Sequence, residues 1–128
     1  MKKYLLISII VFLTTVSPAL SAEQIEIKGL NTTHSGDPLI LPATLTKPTG
    51  EAPFPAVIML HSCEKDNQYL NPWEERFVNW GYVVLRVDIL TPRKRESLCI
   101  SPWAKFDQAI AQDAYDAKSY LMGIPSIN

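Results

Sequence analysis

The chain has 128 residues, 47% hydrophobic and 20% charged, with 12 basic against 13 acidic side chains. That length supports one domain at most, and the near-neutral balance gives no electrostatic basis for binding nucleic acid. The 2 cysteines allow a single intramolecular disulfide, and no set of His, Cys or carboxylate residues has metal-ligand spacing.

The first segment reads as a targeting signal. Lys2 and Lys3 make a basic start, Leu5 to Leu13 is an almost unbroken apolar run, and Ser17-Pro18-Ala19-Leu20-Ser21-Ala22 supplies small residues behind a proline. The alternative, a membrane anchor, needs a span of about 20 apolar residues, and Tyr4 to Val16 is short for that. Residues 1–22 are therefore expected to form a signal peptide cleaved near Ala22. Residues 23–128 would then be an exported, periplasmic or secreted domain without a stable membrane anchor. Removing Lys2 and Lys3 leaves 10 of the 12 basic residues against 13 acidic ones, a formal charge of −3. Export leads to an oxidising compartment, where Cys63 and Cys99 could pair.

Gln24 to Lys28 alternates polar and apolar residues as a half-exposed strand does, with Ile25 and Ile27 on one face. Asn31 to Pro38 is rich in turn formers and contains His34, read as an exposed loop residue. Leu39 to Thr46 is a second strand, in which Pro42 suits an edge position. A loop with Pro48, Gly50 and Pro53 leads to Ala56-Val57-Ile58-Met59-Leu60, a buried-type strand that ends abruptly in His61-Ser62-Cys63. Open α/β folds place their sites at such strand ends. Asn71-Pro72-Trp73 predicts a helix start with Asn71 as cap, and Gly81 predicts its end. Trp73, Phe77 and Trp80 fall on one face of that helix. Tyr82 to Val87 is another buried-type strand, leading to Asp88. Arg93-Lys94-Arg95 is read as a solvated basic loop. From Ala104 to Met122 an apolar stripe of Phe106, Ile110, Ala114, Ala117 and Leu121 predicts a second helix, with Asp107, Gln108, Asp113 and Lys118 to its sides. Strand, helix, strand, helix after a hairpin-like pair implies an α/β fold with a mostly parallel sheet flanked by helices.

Several residues could carry chemistry. His61 is either a structural imidazole that shapes its loop or an acid/base group. Cys63 is a disulfide partner, a plain loop cysteine, or a nucleophile with His61 as base, though no orienting partner is evident. Asp88 is either catalytic or a carboxylate that caps nearby backbone amides. No serine or cysteine sits in a G-x-S-x-G type of nucleophile elbow, and no glycine-rich phosphate loop is present.

Four stretches resemble the amino-terminal half of an α/β-hydrolase of the dienelactone hydrolase family. Pro55-Ala56-Val57-Ile58-Met59-Leu60-His61-Ser62-Cys63 is similar to the family's strand followed by His-Gly-Cys. Trp80-Gly81-Tyr82-Val83-Val84-Leu85-Arg86-Val87-Asp88 resembles its next strand. Thr91-Pro92-Arg93, with Cys99 further on, resembles the loop after it in exported members. Asp113-Ala114-Tyr115-Asp116-Ala117, then Tyr120-Leu121, resembles the helix that precedes the nucleophile.

The resemblance implies an incomplete hydrolase domain over residues 23–128, acting on an ester, lactone or related acyl bond with no metal or cofactor. Its Ser or Cys nucleophile, Asp and His would lie beyond Asn128, the nucleophile about ten residues on. The one element carried over is the backbone N–H of Cys63 as an oxyanion donor, with His61, Ser62 and Asp88 shaping the loops. Ser62 stands where glycine is usual, and Ile110 or its neighbours where many members carry arginine. The competing reading is a non-catalytic periplasmic binding or interaction protein on the same scaffold.

Overall fold

A computed structural model of the chain describes residues 21–33, 35–65, 68–99 and 106–128. The expected signal segment up to Leu20, His34 and the stretch from Ile100 to Lys105, with Pro102 and the expected start of the second helix, lie outside the described residues.

Alternation sets the first two strands. In β2 (Pro38–Lys47) Leu39, Leu41, Ala43 and Leu45 are buried, and their neighbours mostly face outward. β1 (Ser21–Thr32) pairs with it antiparallel from Ser21↔Lys47 to Lys28↔Ile40, then shifts register before Thr32↔Pro38. The expected turn region thus begins later than Asn31. The Thr33 N–H donates to the Asp37 carbonyl at 2.8 Å, and the turn closes on Gly36.

The shift has a visible cause. At Leu30 the backbone leaves its partner strand and its N–H donates to Asp116 Oδ2 at 2.8 Å. Gly29 makes that approach possible, because a Cβ there would lie 3.1 Å from both Leu39 O and Asp116 Oδ2.

β3 (Ala56–Leu60) has the bounds expected from its apolar run. A one-turn 3₁₀ segment, Gln68–Leu70, feeds α1 (Asn71–Asn79), and β4 (Val83–Val87) returns parallel to β3. Asn71 is not the cap. Leu70 holds the cap position with helical backbone angles and no side-chain bond. The Asn71 Oδ1 instead accepts from Arg86 Nη1 at 2.7 Å, since a chain arriving in 3₁₀ turns needs no reversal there. The other end follows expectation. The Gly81 N–H donates to Val78 O and the Tyr82 N–H to Phe77 O, both at 3.0 Å, with Gly81 at φ 89°. The Phe77 and Tyr82 rings meet 6.0 Å apart, which completes a Schellman stop.

The sheet order is β1-β2-β4-β3. The fold is mixed α/β, but the sheet is not mostly parallel: β1·β2 and β2·β4 run antiparallel, and only β3·β4 is parallel. One crossover helix supplies one parallel pair; the hairpin strands enter in the opposite sense. β2 is interior, so Pro42 is not on an edge strand. β4 ends at Val87 opposite Ala43, and the Pro42 carbonyl accepts from the Asp88 N–H at 2.8 Å. A residue's N and carbonyl point to the same side of a strand, so the missing N–H of Pro42 faces Asp88, just past the point where the β2–β4 ladder ends.

One sheet face is covered along its length, and the other only at β3 and β4. One packs Leu41, Leu45, Val83, Leu85 and Val87 against α2 (Asp107–Met122) and the loop residues Ile89, Leu90 and Leu98. The other packs Met59 and Val84 against Leu70 and Val78. The Trp73–Phe77–Trp80 row on α1 lies largely outside this core: Trp73 and Trp80 are exposed, and Phe77 bridges their rings at 6.2 and 5.7 Å.

α2 departs most from its sequence reading. Asp113, expected at the side, is fully buried, and Asp116 is buried beside it. Arg93 reaches Asp113 through Nη2 at 3.0 Å to Oδ1 and Nη1 at 2.7 Å from Oδ2. Asn31 Nδ2 donates to the same Oδ1 at 2.8 Å and to the Ala109 carbonyl. Within the basic run, Arg93 is therefore drawn inward, while Lys94 and Arg95 are exposed as expected. Arg93 also donates to the Ile89 carbonyl, Lys94 takes a left-handed turn conformation, and the Arg95 guanidinium lies over the Phe106 ring.

Candidate functional site

The carboxyl ends of β3 and β4 lie side by side, with Leu60 level with Val87. Each strand therefore delivers its next residue, His61 or Asp88, to the same edge of the sheet. Beside them opens a cleft of 410 Å³ lined by Pro42, Thr44, His61, Lys65, Arg86 and Asp88 among others.

His61 is buried, and the backbone uses both of its ring nitrogens. The Ile89 N–H donates to Nε2 at 3.1 Å, and Nδ1 lies 2.9 Å from the Ser62 carbonyl. A ring that accepts at Nε2 carries its proton on Nδ1, so the donation to Ser62 assigns the tautomer. The imidazole ties the β3 loop to the β4 loop.

Asp88 holds the second loop. Its Oδ1 accepts from the N–H groups of Leu90 and Thr91, each at 2.9 Å, and its Oδ2 accepts from the Thr91 hydroxyl. Asp88 Oδ1 also lies 3.6 Å from His61 Nε2. Partial burial pushes the Asp88 carboxyl up, but the Thr91 and Leu90 hydrogen bonds outweigh it and hold the group below the usual carboxylate range. A depressed folded-state pKa gives stability that is present above the unfolded pKa and lost as pH falls through the folded one. Urea unfolding of D88N and the parent chain is therefore expected to differ at about pH 6, with the gap beginning to close only below about pH 4. A gap that stays constant as the pH falls past that point would remove the carboxylate from this role.

The His61-Ser62-Cys63 loop is stapled from outside. Cys63 and Cys99 form a disulfide with Cα atoms 4.9 Å apart. Around it, the Leu98 N–H donates to the Cys63 carbonyl at 2.7 Å, Glu64 bridges Ser97, and the Lys65 N–H donates to the Glu96 carbonyl. Leu98, fully buried, fixes this short ladder to the core. The Ser62 N–H donates to the Tyr69 hydroxyl at 3.0 Å. No described residue accepts from the Cys63 N–H. A disulfide-bonded sulfur cannot attack an acyl carbon, so the thiolate reading of Cys63 has no support in this arrangement.

Sequence reasoning found His61, Ser62, Cys63, Asp88 and Cys99, and the structure gathers all five at one edge. It missed Tyr69, Leu98 and Thr91. Thr91, three residues after Asp88, could have been read as part of a capping turn; the other two carry no local signal.

Two further features bear on the site. The Phe54 N–H donates to Ser126 O at 2.9 Å and the Asn128 N–H to Phe54 O at 3.1 Å, so Ile127 pairs parallel with Phe54 on the outer edge of β3. The backbone N–H and carbonyl of Phe54 point to that edge, and so do those of Ala56, Ile58 and Leu60, two residues apart along the strand, while their side chains pack against the core. Among the described residues, no group of three or more His, Cys, Asp or Glu side chains could hold a metal ion. No helix among them is long and apolar enough to cross a membrane.

The fold has a counterpart among solved structures. DcsB, solved in complex with its substrate analogue, matches 84% of this chain at 23% identity with a TM-score of 0.55. The likeness is one of fold. The match takes in 34% of the DcsB chain, so this chain spans about a third of that protein's length. No family profile matches the chain, and no curated protein matches it by sequence.

Proposed function

We propose that residues 23–128 form the oxyanion side of an exported α/β-hydrolase of the dienelactone hydrolase type, acting on an ester, lactone or related acyl bond. One observation carries the reading: the loop after β3 offers the Cys63 N–H, without a partner among the described residues, at the carboxyl edge of the sheet. The loop between the third strand and first helix is where α/β-hydrolases take one oxyanion donor. The match in fold to DcsB, a protein described with a substrate analogue, agrees with this, and the disulfide is compatible with export.

The remaining parts would come from beyond Asn128. Phe54 and His61 are about seven positions apart, so a strand continuing in register from Ile127 would reach the level of His61 about seven residues on. A nucleophile in a turn there would stand beside the Cys63 N–H. Its attack on the acyl carbon moves the carbonyl electron pair onto oxygen, and the Cys63 amide hydrogen-bonds that oxyanion.

The test is the reading frame past codon 128. A G-x-S-x-G or G-x-C-x-G within about ten residues, followed by Asp and His, is expected. The encoded protein is expected to hydrolyse p-nitrophenyl acetate and to lose that activity when the nucleophile is replaced by alanine. A frame without these residues would favour the non-catalytic binding protein, whose supporting observation is that none of the 5 glycines lies in an elbow motif.

A further inference from the structure

Ser62 occupies the position where the resembling family has glycine, and its backbone is not in the left-handed region. Its N–H is turned to the Tyr69 hydroxyl, 3.0 Å away. That contact removes one amide from the loop and puts a phenol in its place. A phenol oxygen that accepts an N–H keeps its own proton to donate. Tyr69 is 52% exposed, and no described residue accepts from its hydroxyl. Its position is fixed all the same: it lies in the 3₁₀ turn anchored by buried Leu70, and the Ser62 amide that pins it precedes Cys63 directly.

We infer that the Tyr69 hydroxyl is a second oxyanion donor, acting beside the Cys63 N–H. The inference rests on the hydrolase reading above. Tyr69 donates a hydrogen bond and keeps its proton; no bond to it forms or breaks. Charge develops on the substrate oxygen only as the nucleophile adds, so the contact strengthens in the transition state and acts on kcat rather than on substrate binding.

The experiment uses the protein encoded by the whole reading frame, with p-nitrophenyl acetate as probe. Tyr69→Phe is expected to lower kcat by about 100-fold with KM changed by less than about twofold. Affinity for a phosphonate mimic of the tetrahedral intermediate is expected to fall by a similar factor. Tyr115→Phe, at an exposed tyrosine on α2 away from the loop, is expected to leave all three unchanged. A Tyr69→Phe enzyme with parental kcat overturns the assignment while leaving the hydrolase reading in place. A loss of kcat accompanied by a raised KM and a lowered melting temperature also overturns it, since that pattern marks a purely structural residue. If the parent protein hydrolyses no ester, the hydrolase reading itself has failed.

Discussion

Arg93→Met is expected to destabilise the chain by about 3–5 kcal/mol, because it strands a buried carboxylate. Asp113 has no exposed surface, and Arg93 contacts both of its oxygens at 2.7 and 3.0 Å. Removing the guanidinium leaves the Asn31 amide as the remaining donor to Oδ1. The loss is not the net worth of the pair. Two charges taken out of water lose hydration that their attraction only partly restores, so replacing both partners is much cheaper than replacing one. The Arg93→Met, Asp113→Asn double variant is therefore expected to recover most of the stability in urea unfolding at neutral pH. A single variant within about 1 kcal/mol of the parent would mean that water reaches the carboxylate and replaces the lost donors.

The second large effect belongs to the disulfide. Cys63 and Cys99 close a loop of sequence separation 36, and the chain-entropy model assigns such a cross-link roughly 4 kcal/mol through restriction of the unfolded chain. Cys63→Ser with Cys99→Ser is expected to shift the urea midpoint accordingly while the sheet persists. The native loop keeps the Leu98 N–H bond to the Cys63 carbonyl, so amide exchange in 61–65 is expected to rise only modestly. A double variant as stable as the parent would show that strain in the folded state offsets the entropic gain. An exchange rate at Leu98 equal to that of an unstructured chain would show that the disulfide alone holds the two loops together.

These two predictions also mark where the sequence was legible. β3 and the end of α1 could be read because their signals are local: five consecutive apolar residues, and a glycine where the backbone needs φ 89°. The cysteine pair could be read because there is only one way to join two cysteines. The Asp113 site could not. A carboxylate in an apolar helical stripe looks like a boundary residue, and its partners Arg93 and Asn31 lie 20 and 82 positions away. The same holds for Pro42, whose tolerance depends on where a different strand ends. At the candidate site the abrupt end of β3 announced His61-Ser62-Cys63, and Asp88 followed from β4 in the same way. Tyr69 stayed hidden because what it meets is a backbone amide, which no side-chain pattern reports.

The tie between Leu30 and Asp116 has a consequence for how the chain assembles. Its two ends are 86 positions apart, and Asn31 and Asp113 close a loop almost as long. Ordering that much chain before either contact forms is entropically unfavourable, whereas the β1–β2 hairpin and the β3–α1–β4 unit close over short distances. During synthesis the hairpin leaves the ribosome long before the helix carrying its two carboxylates. The irregular end of β1 is therefore expected to take its final register only after that helix has docked, so one strand is begun early by its hairpin and finished late by a distant helix.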